Sequence, residues 1–283
     1  MILAAVLGGD VSRSRSPAIH KAAYKALGIE GRFEALSVDA ARFASLVTDL
    51  GQRGYRYLNV TIPHKAAAAA LATTRSAMVR NCGAANTLIF EPGHPEAIHA
   101  ENTDGHGLLA ALEDLGARAG GQDAVLIGAG GAAAGAVEAL TAVGARVRVV
   151  ARRLEAAQLL VDHLPGQRRA LARAFAWSDG GLGRALEGAR MLVSSVPASA
   201  WSGPTAAADL VRIERETVVL EMAYGVAGGS PLAQLVRGRV VRYADGLGML
   251  VHQAVRAIEV ALGELPPLGP LLTAARAAKP EPR

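Results

Sequence analysis

The sequence predicts an α/β protein of two domains, the second built on a doubly wound sheet. Three observations predict it. The first hundred residues alternate short apolar runs with helical stretches, the mark of βαβ units and a parallel sheet. A second alternating block begins near residue 102 and sets a glycine-rich turn between a strand and a helix, as in nucleotide-binding domains. The chain has 283 residues, 51% apolar and 19% charged. That is enough apolar mass for a full core, at a length that suits one large domain or two modest ones.

In the first block the apolar runs are Ile2–Leu7, Arg32–Val38, Tyr55–Val60 and Ala85–Phe90. Helical stretches are expected at Pro17–Leu27, Ala40–Leu50 and Lys65–Leu71. Ser16 before Pro17 reads as a helix start, with Ser16 as N-cap and proline in the first turn. Leu27-Gly28 reads as its stop. In the second block Asn102-Thr103-Asp104 can cap a helix running to about Leu115. A glycine-rich loop then leads to a strand at Ala124–Ile127, the glycine turn, a helix to about Val143 and a strand at Arg146–Val150. Met191–Ser194 and Val218–Met222 are further strand candidates. Beyond Asp245 the chain turns helical from about Leu247 to Leu262, passes Pro266, Pro267 and Pro270, and ends in a tail, Lys279–Arg283, expected to fray.

Composition excludes several classes. Gly (32) and Pro (13) show no collagen-like period. A single cysteine, Cys82, rules out a disulfide framework and a four-thiolate zinc site, and reads as a small buried residue. The seven histidines show no ligand spacing such as H-E-x-x-H, so no metal is expected. The net charge is +5, but the arginines are scattered among acids and aromatics are only 4%. A nucleic-acid surface would interleave a basic stripe with aromatics, so the expected partners are anionic small molecules. Met1–Leu7 lacks a basic flank and ends at Gly8-Gly9-Asp10, which reads as a buried strand and not a signal peptide. Residues 124–145 carry only Glu138 as a charge and are long enough to span a bilayer. Gly128, Gly130, Gly131 and Gly135 within that window read instead as strand, turn and helix. A cytoplasmic protein without a membrane segment is expected.

Gly128-Ala129-Gly130-Gly131-Ala132-Ala133 fits the G-x-G-x-x-[GA] fingerprint. The first glycine permits the sharp turn, the second lets a pyrophosphate reach the backbone, and the small later residues let helix and strand pack closely. In a Gly/Ala-rich chain the same residues also make a plain packing helix. The strand before, the helix after and the strand closing the unit favour a Rossmann-type dinucleotide site. The closing strand ends Val149-Val150-Ala151-Arg152-Arg153, with no acid to grip a ribose 2′-hydroxyl. Two guanidiniums there favour a 2′-phosphate, hence NADP, over their reading as solvated surface arginines.

The first block carries the other candidates. Only Lys21, Lys25, Lys65 and Lys279 are lysines among 30 basic residues. Lys65 sits in Asn59-Val60-Thr61-Ile62-Pro63-His64-Lys65, between a strand and a helix. There it is either a solvated helix-start cation or a group that exchanges protons, which arginine cannot do. Asp104 is either its carboxylate partner or a capping acid. Ser14 and Ser16 can hydrogen-bond a ligand, or Ser16 only caps its helix. Asn86 binds a ligand or starts a turn.

Ser14-Arg15-Ser16-Pro17, Asn59–Lys65, Gly83-Ala84-Ala85-Asn86-Thr87, Asn102-Thr103-Asp104-Gly105, Gly128–Ala132 and Asp245-Gly246-Leu247-Gly248-Met249-Leu250 with Gln253 occur in this order. Together they resemble the shikimate dehydrogenase family, including its quinate/shikimate relatives, over nearly the whole chain. The resemblance implies two α/β domains with a cleft between them. A substrate domain would span 1–101 and be completed by helices in 247–283, and a Rossmann-type NADP domain would span 102–246. It implies NADP-linked interconversion of 3-dehydroshikimate and shikimate, with Lys65 and Asp104 as the catalytic pair. Ser14, Ser16, Asn59, Thr61, Asn86, Asp104, Gln253 and Tyr224 would hold the substrate, although Tyr224 also reads as a buried strand-end residue. Gly128, Ala129, Gly130, Gly131, Ala132, Arg152 and Arg153 would hold NADP, with Gly246 and Met249 beside its nicotinamide. The protein would be a monomer or homodimer.

The chain departs from the family pattern at Arg13, where His is usual, and at Ala134, where Arg is usual. Ser194-Ser195-Val196-Pro197 replaces a strand end reading Asn-Ala-Thr, and Glu221-Met222-Ala223-Tyr224 replaces Asp-x-x-Tyr. The loop after Ser194 is expected to approach the cofactor. The alternatives are a quinate or aminoshikimate dehydrogenase, with NADP or NAD, and a catalytically silent relative that binds the ligand or NADPH and regulates a partner.

Overall fold

A computed structural model describes residues 1–178, 180–202, 208–226 and 229–278. The expected fraying tail, 279–283, and residues 227–228 of the stretch before Ser230 lie outside the described residues. The chain divides into two compact units: Met1–Gly107 with Leu250–Arg283, and Leu108–Met249. Both divisions fall somewhat later in the chain than the sequence-based boundaries.

The first unit runs β1 (Ile2–Gly8), α1 (Ser16–Leu27), β2 (Gly31–Ser37), α2 (Phe43–Gln52), β3 (Tyr57–Val60), α3 (Lys65–Leu71), β4 (Thr74–Arg75), α4 (Ala77–Cys82), β5 (Thr87–Glu91) and β6 (His94–Glu101). Its sheet order is β2-β1-β3-β5-β6-β4. β1 pairs in parallel with β2 and β3, but β5 runs antiparallel to both β3 and β6. The sheet is therefore mixed, not parallel as alternation alone suggests. The reason is the short link Pro92-Gly93, with Gly93 at φ +81. Two residues can close a hairpin but cannot make a crossover to a parallel strand. Leu7, Phe43, Leu50, Leu58, Leu88 and Phe90 are among the buried side chains that form the core on this sheet.

Helix α1 begins one residue earlier than expected. Ser16 is its first residue, Arg15 holds the cap position without a side-chain bond, and Ser14 Oγ accepts the Ser16 N–H at 3.2 Å. The stop at Gly28, in the left-handed region at φ 67, is where the sequence puts it. Cys82 is half-buried rather than buried, because it ends the short helix α4 at the surface.

Helix α5 (Asp104–Asp114) starts in the first unit, and the second unit continues with β7 (Asp123–Ile127), α6 (Gly131–Ala142), β8 (Arg146–Ala151), α7 (Leu154–Asp162), β9 (Ala172–Ala176), α8 (Gly181–Leu186), β10 (Met191–Ser194), β11 (Val218–Glu221), α9 (Pro231–Val236) and β12 (Arg242–Asp245). Helix α10 (Leu247–Leu262) carries the chain back into the first unit, where α11 (Leu268–Ala277) follows. The second sheet is parallel throughout, in the order β12-β11-β10-β7-β8-β9. Along β7, Ala124 and Leu126 enter one core and Val125 and Ile127 the other. This two-residue period, buried on both faces, is what a doubly wound parallel sheet requires. The strand order reverses between β7 and β10, and ligands of such sheets bind outside the carboxyl ends at that point. No helix among the described residues is long and apolar enough to cross a membrane.

Candidate active site

Sheet topology gathers the polar residues of the first unit at one edge. β3 delivers Asn59 and then Thr61 at its carboxyl end. β5 is antiparallel, so its beginning lies at that same end, with Asn59 opposite Thr87. β6 reverses again and finishes there, with Glu101 opposite Thr87. Asn102, Thr103 and Asp104 follow directly. The hairpin that sequence alternation hides is thus what brings Asn86 and Asp104 to the end of β3.

Lys65 opens α3, and its backbone carbonyl accepts from Ala85 N at 2.9 Å, tying the helix start to the strand that follows Asn86. The preceding His64 is buried, stacks on Phe43 at 4.5 Å and bonds the Val38 carbonyl at 2.9 Å through Nε2. It anchors the turn and is not part of the polar edge. Lys65 Nζ makes a hydrogen-bonded ion pair with Asp104 Oδ2. Lys65 is 9% exposed and Asp104 7%. Desolvating two such charges costs nearly as much as their attraction returns, so a buried pair of this kind adds little net stability. That points to chemistry as the reason for placing it there.

Amides brace the pair. Asn86, 2% exposed, donates through Nδ2 to Asp104 Oδ1 at 2.9 Å, to Thr103 Oγ1 at 2.9 Å and to Gln253 Oε1 at 3.1 Å. Its Oδ1 accepts from Thr103 N at 2.8 Å and from Thr87 Oγ1 at 3.0 Å. Asn59 Nδ2 donates to Thr87 Oγ1 at 3.1 Å. Asn102 Oδ1 caps the Asp104 N–H at 3.1 Å, so the capping role belongs to Asn102 and leaves the Asp104 carboxylate for Lys65. Gln253 reaches this cluster from α10. Lys65, Asp104, Asn59, Asn86 and Gln253 therefore form one buried array. Thr61 follows β3 and is half-buried, with its N–H bonded to the Leu7 carbonyl at 2.8 Å. Ser14 lies between β1 and α1 and Ser16 is the first residue of α1, both past the carboxyl end of β1, which is the parallel neighbour of β3.

Thr87 and Thr103 are members of the array that the sequence reading passes over. Their signal was adjacency: each neighbours a singled-out residue, Thr87 beside Asn86 and Thr103 beside Asp104. A hydroxyl can accept from one amide and donate to another, which is what joining two amides needs.

In the second unit the glycine turn stands where the strand order reverses. Gly128 has φ +119, and a Cβ there would collide with Ser195 Oγ. Ser195 is fixed by its N–H and its Oγ, both bonded to the Ile127 carbonyl at 2.9 and 2.7 Å. The loop after β10, expected to approach a cofactor, is thus fastened to the turn itself. Ser194 points inward and accepts the Trp201 indole N–H at 2.9 Å. Gly130 precedes α6 with no side-chain cap, and nothing lies within 4 Å of where its Cβ would be. First-turn N–H groups of α6 beside open space, with Ala129, Gly131 and Ala132 adding no bulk, fit a pyrophosphate. Arg152 and Arg153 follow β8 and are exposed, free to reach an added phosphate. This residue set fits NADP. Ala134 is buried within α6.

Three remaining candidates lie in the second unit. A Cβ at Gly246 would collide with the Met222 carbonyl oxygen, so glycine is required by a close backbone approach. Met249 is buried in the core of the second unit. Tyr224 follows β11 and is half-buried, also in the second unit. Glu221, the departure beside it, is buried and accepts from Tyr243 Oη at 2.8 Å and from Ser230 Oγ. Among the described residues no three His, Cys, Asp or Glu side chains group so as to hold a metal ion.

Comparison with known proteins gives a consistent result. A family model described as shikimate dehydrogenase substrate binding domain matches residues 6–88. A shikimate dehydrogenase (NADP(+)) of Methylobacterium radiotolerans is 39% identical over 94% of this chain and 93% of its own. The enzyme of the same name from Afipia carboxidovorans is 36% identical over 96% and 95%. Among solved structures, the shikimate dehydrogenase of Mycobacterium tuberculosis is 35% identical, with a TM-score of 0.84 over 98% of this chain and 100% of that one. Shikimate 5-dehydrogenase of Thermus thermophilus, in complex with NADP(H) and shikimate, is 28% identical with a TM-score of 0.84 over 98% and 99%.

Proposed function

The chain belongs to the shikimate dehydrogenase family, and on that premise we propose that it interconverts 3-dehydroshikimate and shikimate with NADP. The observation that carries this reading is the buried Lys65–Asp104 pair within an array of side-chain amides. NADP, when bound, supplies a hydride to the keto carbon in one direction and accepts it in the other.

The chain's own residues handle the proton. In the reducing direction the Lys65 ammonium donates a proton from Nζ to the ketone oxygen as negative charge builds there. In the oxidising direction the neutral amine takes the hydroxyl proton back. Asp104 holds Nζ in one place and offsets its charge, and Asn86 holds the other carboxylate oxygen so that Asp104 cannot rotate away. Asn59, Asn86 and Gln253, with Thr61, Ser14 and Ser16, supply the neutral donors and acceptors that a polyhydroxylated acid needs for orientation. Gly128–Ala132 receive the pyrophosphate of NADP, and Arg152 with Arg153 its 2′-phosphate.

The test is the change in nicotinamide absorbance with shikimate or quinate and with NADP or NAD. Shikimate with NADP is expected to give the highest kcat/KM. A preference for quinate or NAD would move the protein to a sister activity. No turnover with any pair would indicate a ligand-binding relative.

A further inference from the structure

The segment Ser14-Arg15-Ser16-Pro17 contains one residue that the proposed reaction leaves without a task. Ser14 and Ser16 are read as ligands for the substrate, and Pro17 sits in the first turn of α1. Arg15 lies between the two serines. It holds the cap position of α1, yet its side chain does not cap that helix. Its Nη1 donates instead to the Ala275 carbonyl at 3.0 Å, 260 residues further along the chain.

The acceptor stands at the end of α11. The last helical bond there runs from Ala278 N to Ala274 O at 2.9 Å, and the Ala275 carbonyl is the next in line. Carbonyls in a last turn lack partners within their helix and carry the negative end of its dipole. A guanidinium answers both needs, since it donates from a rigid plane and keeps its charge. Ala275 is fully buried and Arg15 half-buried, so water competes less for this bond than it would at the surface.

The serines belong to a segment tied down at both ends. At its front, Gly9 N–H bonds the Ile62 carbonyl at 2.9 Å and Val11 N–H bonds Ser37 Oγ at 3.2 Å, which sets it against the ends of β2 and β3. Ser14 N–H then bonds the Val11 carbonyl at 3.0 Å. Ser14 Oγ accepts from Ser16 N–H at 3.2 Å, which uses a lone pair and leaves the hydroxyl proton to donate. At the rear, α1 packs on α11, and Arg15 makes the fastening between them.

We propose that Arg15 is a positioning residue for the substrate: by holding the carboxyl end of α11 it fixes the angle at which the chain enters α1, and with it the places of Ser14 and Ser16 on either side. Helix α11 thereby serves binding through a backbone carbonyl. The consequence for binding rests on the reading of Ser14 and Ser16 as substrate ligands.

Steady-state kinetics on full-length variants tests it. Arg15→Met keeps an unbranched apolar stem but cannot donate. It is expected to raise the shikimate KM about fivefold, a loss of about 1 kcal/mol, with kcat and the NADPH KM each within about twofold. Arg276→Pro attacks the same bond from its other end. Arg276 is exposed, and proline there steers residue 275 out of the helical region and turns its carbonyl away. It is expected to raise the shikimate KM by a similar factor, and the double variant is expected to be no worse than either alone. If Arg15→Met leaves the shikimate KM unchanged, or moves kcat and both KM values together, the bond only fastens the fold and the proposal fails. A rise with Arg15→Met but none with Arg276→Pro would make Arg15 a direct ligand, and effects that multiply in the double variant would make the two ends independent; either result overturns the positioning role. Ser14→Ala and Ser16→Ala check the underlying reading. Should both leave the shikimate KM unchanged, the serines do not hold substrate and the inference falls with them. Should they raise it while Arg15→Met does not, the present inference alone fails.

Discussion

Asp104 divides its two carboxylate oxygens between a cation and an amide: Oδ2 bonds Lys65 Nζ, and Oδ1 accepts from Asn86 Nδ2 at 2.9 Å. A carboxylate held at both ends fixes its partner in space, and that fixity separates a proton donor from a flexible surface lysine. The same geometry sets up a stability asymmetry, because either partner alone would be a buried, unbalanced charge.

Removing the charge pair in steps separates chemistry from folding. Lys65→Met is expected to lower turnover by roughly 10²- to 10⁴-fold, the usual share of a proton-transfer group. It is also expected to lower unfolding free energy by about 3–5 kcal/mol, because Asp104 is left buried and unpaired. Lys65→Met with Asp104→Asn has no stranded charge, so stability recovers while turnover does not. Urea unfolding followed beside the nicotinamide assay checks both. Near-normal turnover in Lys65→Met would reject the assigned role, and NADPH binding, read by fluorescence, is expected to survive in both variants.

The parts of this site visible in the sequence are those where a residue type is out of place or a turn has few solutions. Lys65 stands out because this chain otherwise uses arginine. The turn at Gly128 stands out because φ +119 and the Ser195 contact admit little else. The doubly wound sheet is legible because its strands alternate with helices and bury both faces. What was hidden depends on pairing. Pro92-Gly93 looks like any loop, yet it turns β5 back into β6 and so returns Asp104 to the end of the sheet where Asn86 lies. Ser16, His20 and Tyr24 recur every four residues on the buried face of α1, a polar stripe where apolar residues would be expected, and that spacing was the available sign that His20 and Tyr24 hydrogen-bond Tyr57. Serine at position 16 reads as a cap from sequence because Pro17 follows it. The backbone enters the helix one residue sooner, and Ser14 does the bonding.

Cofactor choice is expected to rest on the end of β8. Arg152→Ala with Arg153→Ala removes the charge-assisted bonds to a 2′-phosphate, worth about 1.5–3 kcal/mol each where they form. The NADPH KM is expected to rise roughly 10- to 100-fold, while the NADH KM, with no 2′-phosphate to lose, stays within about twofold. Equal loss with both cofactors would assign the arginines to the fold or to the shared pyrophosphate.

Burial of neutral His20 makes stability pH-dependent. Its pKa is about 3 in the folded protein against 6.5 when exposed. Between those values the unfolded chain binds a proton that the native state does not, so native stability falls as pH drops through this window. The contribution is up to about 1.4 kcal/mol per pH unit. Carboxylates add a slope of their own, so the informative quantity is the difference between the unmutated protein and His20→Gln, which has no group to protonate. Urea midpoints between pH 7 and pH 4 (about the span of the transition) are expected to fall more steeply in the unmutated protein. Parallel slopes would mean that His20 is not buried as a neutral ring.

Arg13 offers a test of how the substrate is gathered. It is exposed, and it precedes Ser14 in the segment between β1 and α1, past the carboxyl end of the strand beside β3. An exposed guanidinium cannot act as a buried pair does, since water and salt screen it. It can raise the local concentration of an anionic substrate, and that attraction falls as the Debye length shrinks from about 10 Å at 0.1 M to about 3 Å at 1 M salt. Arg13→Ala is therefore expected to raise the shikimate KM about two- to fivefold in dilute buffer, to leave kcat unchanged, and to differ little from the unmutated protein near 1 M salt. An increase in KM that persists at high salt would mean a direct hydrogen bond to the carboxylate instead of steering. A KM that does not move even in dilute buffer would leave Arg13 with no part in binding.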